Sequence, residues 1–175
     1  MIRFIIILII TFFSLNTSNA SNESIIIKIQ NGWNEIQTMS GEFSQLDTNG
    51  NIERGNFYFS KPYKSKFVYK NKNEDIVTNE SLLRIVDKEG FQIDSYAIGG
   101  NVLKKLLSVN LDIQKEFDID YIREDDENFE IGAVIENYNN LNKFILTFDK
   151  NTIELEKWEI FDELDNKTVL EFTKI

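Results

Sequence analysis

Any acid–base chemistry in this chain would have to come from its carboxylates. The 175 residues include no histidine and no cysteine. That removes the commonest general base, the commonest metal ligand and every thiolate reaction. Carboxylates are plentiful, with 29 Asp and Glu against 19 Lys and Arg. Two of them flanking a glycosidic bond would suffice to hydrolyse it. Yet the densest groups, Glu124 to Glu127 and Glu163 to Asp165, fall in stretches that read as turns. A solvated carboxylate is the ordinary outcome there. The string REDDEN at 123–128 lacks the spacing and the glycine of a calcium loop. No G-x-x-x-x-G-K-[ST] or G-x-G-x-x-G occurs, so nucleotide binding has no support. The reading is therefore of a non-enzyme, with no catalytic residue, no metal and no cofactor.

A different chemistry, the burial of hydrocarbon, is suggested by GNFYFSKPYKSKFVYK, residues 55–70. Phe57 and Phe59, then Phe67 and Tyr69, alternate on either side of Pro62, the only proline. Lys61, Lys64, Lys66 and Lys70 crowd the same stretch. These aromatics, with Phe43 upstream, suit two roles. They would fill an ordinary core, or they would line a cavity for an apolar ligand, and composition does not separate the two. A net charge of −10 argues against nucleic acid as a partner, because phosphate binding needs a basic surface.

The elements that must hold these residues follow from periodicity. Ile25, Ile26, Ile29, Trp33 and Ile36 recur at helical spacing, with Ser21, Asn22 or Ser24 as candidate caps. From Gly41 the period changes to two. GEFSQLD and IERGNFYFS flank Asn49-Gly50, a strong hairpin signal. KSKFVYK, DIVTN, LLRIVD and FQIDSYAI continue the meander. Gly99-Gly100 interrupts it. In NVLKKLLS, Val102, Leu103, Leu106 and Leu107 then share one face of a short helix. EFDIDYI, NFEIGAVIEN, KFILTFD, IELEKWEIFD and TVLEFTKI return to strands. In the fourth, alternation puts Ile153, Leu155 and Lys157 opposite Glu154, Glu156 and Trp158. The expectation is about ten or eleven antiparallel strands and two or three helices in one domain, 21–175.

Residues 1–20 read as a signal peptide rather than part of the fold. Arg3 precedes the apolar run Phe4 to Leu15, and Ser18 and Ala20 suit cleavage. The run is short of the roughly 20 residues that span a bilayer. Cleavage after Ala20 would leave 155 residues, and loss of Arg3 would move the net charge to −11. Without a cysteine to carry a lipid, the expectation is an exported, periplasmic protein, monomeric.

The order of several strings resembles the LolA family, the periplasmic carriers of outer-membrane lipoproteins. MSGEFSQ looks like that family's first strand. GNFYFSKP followed by SKFVY is similar to its aromatic strand, basic residue and proline, then basic-aromatic strand. NVLKKLLS stands where the family has a short helix, and FILTFD with IELEKWEIFDELDNKTVLEF resembles its closing hairpins. The resemblance spans essentially the whole chain after residue 20. It implies an unclosed antiparallel β-barrel with helices as a lid over an apolar cavity. Its ligands would be acylated lipoproteins, taken from an ATP-driven inner-membrane transporter and passed to an outer-membrane acceptor. It also implies that Lys61, where Arg is usual, points inward and latches the lid, and that Ser65 replaces a larger apolar residue.

With Lys61 inward, strand parity puts Gly55, Phe57 and Phe59 inside, and Tyr58 and Ser60 outside. Phe67 and Tyr69 are then assigned to the cavity, with Phe43, and Lys64, Lys66 and Lys70 to the outer rim. Val102, Leu103, Leu106 and Leu107 are the expected lid, hinged at Gly99 and Gly100. Leu103→Glu is expected to reduce lipoprotein capture with folding nearly intact. Alternatives on the same half-barrel are a periplasmic lipid-binding protein and an envelope-stress sensor.

Overall fold

In the computed structural model, residues 17–97, 101–137 and 140–174 are described. The apolar run at 4–15 and the Gly99-Gly100 pair lie outside them. An N-terminal helix, α1 (Thr17–Glu35), precedes six strands: β1 (Thr38–Leu46), β2 (Ile52–Ser60), β3 (Lys64–Tyr69), β4 (Glu74–Thr78), β5 (Leu82–Asp87) and β6 (Gln92–Ala97). Two short helices follow, α2 (Val102–Leu106) and α3 (Ile113–Glu116). Five more strands close the chain: β7 (Asp118–Glu124), β8 (Asn128–Asn137), β9 (Asn140–Asp149), β10 (Leu155–Phe161) and β11 (Lys167–Lys174).

All the strands join one antiparallel sheet in the order β6-β5-β4-β3-β2-β1-β11-β10-β9-β8-β7. The first strand lies at the centre, pairing β2 on one side and β11 on the other. β6 and β7 end the order without pairing each other, so the barrel stays open. The helices α2 and α3 lie in the connection that carries the chain from one edge to the other.

Turn chemistry sets the hairpins. Gly50 takes φ 84°, a conformation that side chains disfavour, at the β1–β2 turn. Asp47 Oδ1 accepts the N–H groups of Asn49 at 2.9 Å and Asn51 at 2.8 Å. Asp125, Asp149 and Asp162 do the same in their own turns. The acidity of these loops is thus partly structural, since each such aspartate satisfies N–H groups the turn leaves unpaired.

Three features depart from the sequence pattern. α1 already includes Thr17, ahead of the Ser21 to Ser24 caps, and no proline or glycine lies between them to stop it. The four-residue α3, capped by Asp112, is too short to leave a periodic signal. A β-bulge between Leu155 and Lys157 inserts one residue and inverts the face of everything after it. Trp158, expected outside with Glu156, is therefore buried in the core.

Candidate ligand cavity under the helices

One face of the sheet collects the large apolar side chains. From β1 to β3 the register stacks Phe43, Gly55 and Tyr69 in one row and Phe57 with Phe67 in another. Gly55 is required: a Cβ there would lie 2.1 Å from the Val68 carbonyl and 2.6 Å from the Phe43 ring. Its absence lets Phe43 reach across to Tyr69, edge to face with centroids 5.1 Å apart. Phe57, Phe59 and Phe172 form a second ring cluster, with centroids 4.9 to 5.7 Å apart. The opposite parity holds outside, where Tyr58, Lys64, Lys66 and Lys70 are exposed, Lys70 paired with Glu42 at 2.6 Å.

Helix α1 contributes Ile26, Ile29 and Trp33 to the same buried core. Trp33 meets Phe148 edge to face at 5.7 Å. The polar side of α1 grips the segment after β6. Trp33 Nε1 donates to the Leu106 carbonyl at 2.7 Å, Asn34 exchanges two bonds with Leu111, and Gln30 accepts from the Ile113 N–H. α2 is in turn capped by Asn101, whose side chain accepts from the Leu103 N–H at 2.8 Å.

A cavity of about 240 Å³ remains between α2 and the sheet. Phe67 and Tyr69 of β3, Leu103 of α2, and Trp158 and Ile160 of β10 border it, as does Leu170 of β11. Polar atoms enter through Gln45, Thr78, Asn101 and Thr168, and no lining residue carries a charge. Tyr69 donates to Gln45 Oε1 at 2.8 Å. Burial, with help from the Glu53 carboxylate, pushes its phenol up to about 12.

The sequence-assigned residues divide in this geometry. Phe67 and Tyr69 border the cavity, whereas Phe43, Phe57 and Phe59 are packed into the ring clusters beside it. Leu103 borders it too, while Val102, Leu106 and Leu107 are buried against the core. Leu103 is only 7% exposed, so Leu103→Glu would bury a carboxylate and cost stability as well, contrary to the expectation above. Ser65 is buried, its hydroxyl paired with Thr78 at 2.6 Å across β3 and β4.

Lys61 follows β2 and turns inward at the cis Lys61-Pro62 bond. Its ammonium donates to the Trp33 carbonyl at 2.5 Å and sits 4.9 Å from the Trp33 ring centroid. It has no carboxylate partner among the described residues. Burial pulls its pKa down to about 8. Through its ammonium Lys61 therefore engages α1. The connection to α2 runs through Trp33, and through the Tyr63 N–H, which donates to the Leu107 carbonyl at 2.7 Å.

Sequence reasoning missed Trp158, Leu170, Thr168 and Ile160 as lining residues. The alternation of TVLEFTKI holds Thr168, Leu170 and Phe172 on one face, a signal that finds two of the strand's side chains. Trp158 and Ile160 were hidden by the bulge, which leaves no mark in composition.

The profile of the family described as outer membrane lipoprotein carrier protein LolA matches residues 34–175. An uncharacterised protein of Rickettsia prowazekii is 25% identical over 157 residues, spanning 89% of this chain and 72% of that protein. Among solved structures, a LolA superfamily protein of Nitrosomonas europaea superposes with a TM-score of 0.42 at 8% identity, over 85% of this chain and 91% of that one. The Pseudomonas aeruginosa MucA/MucB complex superposes with a TM-score of 0.46 at 13% identity, over 87% of this chain. The chain spans 56% of the length of the chain it matches there, and 54% of that in another structure of MucB with MucA.

Proposed function

Since the chain belongs to the LolA family, we propose that it is a periplasmic carrier that shields the acyl chains of lipoproteins between two membranes. The observation that carries this reading is the uncharged cavity between α2 and the open sheet, bordered by Phe67, Tyr69, Leu103, Trp158 and Leu170. A buried methylene is worth about 0.8 kcal/mol, so one long acyl chain gains on the order of 10 kcal/mol on entering such a site. Release into water is then slow, and hand-over needs a partner that binds more tightly or a lid that opens.

The lid in this reading is α2. The cavity's 240 Å³ lies below the ~300–1,000 Å³ of ordinary ligand pockets, so a full acyl chain requires it to widen. Five residues of helix have little stability of their own. α2 stays in place through its contacts, among them the burial of Val102 and Leu106 in the core and the bonds from Trp33 and Tyr63. Lys61 acts one step back, holding the carbonyl of Trp33. The supplier is an ATP-driven inner-membrane transporter and the recipient an outer-membrane acceptor. The carrier itself performs no covalent step.

The test is to purify the exported protein from its host and identify co-purified ligand by mass spectrometry. A triacylated peptide is the expected result; a soluble sugar, or nothing apolar, would remove the reading. Leu83→Trp, which places a large side chain at the cavity wall, should reduce captured acyl chains more than tenfold while urea unfolding changes little.

A further inference from the structure

The chain has two tryptophans, and their indole N–H groups are treated differently. Trp33 donates to the Leu106 carbonyl at 2.7 Å. Trp158 is 6% exposed and borders the cavity, yet its Nε1 is buried with no acceptor among the described residues. Buried donors are almost always paired, because an unpaired one forfeits its bond to water. The cavity's own polar groups are already engaged in large part. Gln45 accepts from Tyr69, Thr78 pairs with Ser65, and Asn101 caps α2.

The bulge sharpens the point. Regular alternation would have turned Trp158 outward with Glu156, into water. The extra residue between Leu155 and Lys157 turns it inward, and bulges of this kind re-aim side chains beside binding sites. A bulge that served only to fill space would be expected to present an aliphatic residue, which carries no donor to satisfy.

We propose that Trp158 Nε1 donates a hydrogen bond to a carbonyl oxygen of the bound ligand, so that the cavity selects acyl esters or amides over bare hydrocarbon chains. This rests on the acyl-carrier reading. The Nε1 atom has essentially no exposed surface in the closed form, so the bond forms when α2 lifts and the cavity widens around a guest. The ligand then brings the acceptor that the protein lacks, and places its ester or amide at the β10 wall with its chain beyond. Trp33 reports the same event from the other side, because its bond to Leu106 ties α1 to α2.

Two indole protons make the test direct. The 15N-labelled full chain is titrated with methyl palmitate and, separately, with heptadecane, both delivered from cyclodextrin. The expected result is a downfield shift of the Trp158 indole proton with the ester only, while the Trp33 proton responds to both as α2 moves. Trp158→Phe should lower the preference for ester over hydrocarbon about fivefold to tenfold, as for one neutral hydrogen bond, whatever change the smaller ring makes to both affinities alike. The Trp33 indole resonance at its wild-type position shows that this variant is folded. If both probes bind equally well and the Trp158 proton does not distinguish them, the inference is overturned and the carrier reading stands. If neither probe binds the wild type, the carrier reading falls and the inference with it.

Discussion

The concave face is finished in two ways. Over β8 and β9 it is solid: Trp33 of α1 meets Phe148 edge to face, and Ile29, Trp33, Phe129 and Phe148 are all at most 2% exposed. Over β3 to β5 and β11 it is hollow: the same kind of sheet faces α2 across a cavity, and every residue of β5 is only half-buried. One element explains the difference. α1 is 19 residues long and donates a full apolar stripe, whereas α2 has five residues and reaches only part of the face. The solid half supplies the stability that lets the hollow half stay open to a guest.

The largest effect tests that division. Phe148→Ala removes a fully buried ring from the solid half and should cost about 3–5 kcal/mol in urea unfolding. Ile160→Ala, at the half-exposed wall of the cavity, should cost about 1 kcal/mol, because it borders space that already exists. Equal costs would mean that the hollow half is as load-carrying as the solid one, and the comparison would fail.

Much of this division was legible in the sequence, and the part that was not has physical causes. Period-two alternation located the strands. The inward Lys61 came from the family resemblance, with parity only extending it to Phe57 and Phe59; its ammonium donates to the Trp33 carbonyl. What parity cannot see is which inward residues pack upon one another and which leave a gap. Phe57 and Phe67 are adjacent in register, yet one is sealed in a ring cluster and the other faces the cavity. That outcome depends on how far α2 reaches, a tertiary fact. The inversion at Trp158 escaped because a bulge changes one hydrogen-bonding step without changing residue type. The partners of Gln30 and Asn34 escaped because they lie more than 70 residues away in sequence.

A smaller effect concerns the join between the halves. Burial lowers Lys61 to about 8, while an unfolded lysine titrates near 10.5. Its charge is therefore costlier in the folded protein. Below about pH 8 it is charged in both states and that cost is fully present. As pH rises from about 8 towards 10.5 the folded form releases its proton first, and stability increases. Neutral Lys61 can still donate to the Trp33 carbonyl but loses its attraction to the ring. Lys61→Met should abolish this rise in Tm between pH 7 and 10. A rise of the same size in that variant would assign it to another group.

The smallest effect separates the rim of the solid half from the cavity. Asp125 and Asp149 close neighbouring turns, each carboxylate accepting two backbone N–H bonds. Lys150 ties the turns together, donating from its N–H to the Glu127 carbonyl at 2.8 Å and from Nζ to the Asp125 carbonyl at 3.1 Å. Lys28 of α1 reaches the Lys150 carbonyl at 3.1 Å. The backbone bonds hold both aspartates below the usual 3.8. A lowered folded pKa means that their stabilisation is present above 3.8 and is lost as pH falls through the folded value. Asp125→Ala combined with Asp149→Ala should therefore lower Tm modestly at pH 7, and the gap to wild type should narrow towards pH 3. Acyl-chain capture at pH 7 should be unchanged, because neither turn borders the cavity. Lost capture at an unchanged Tm would show that the rim of the solid half helps hold the ligand, and the two halves would then have to be treated as one site.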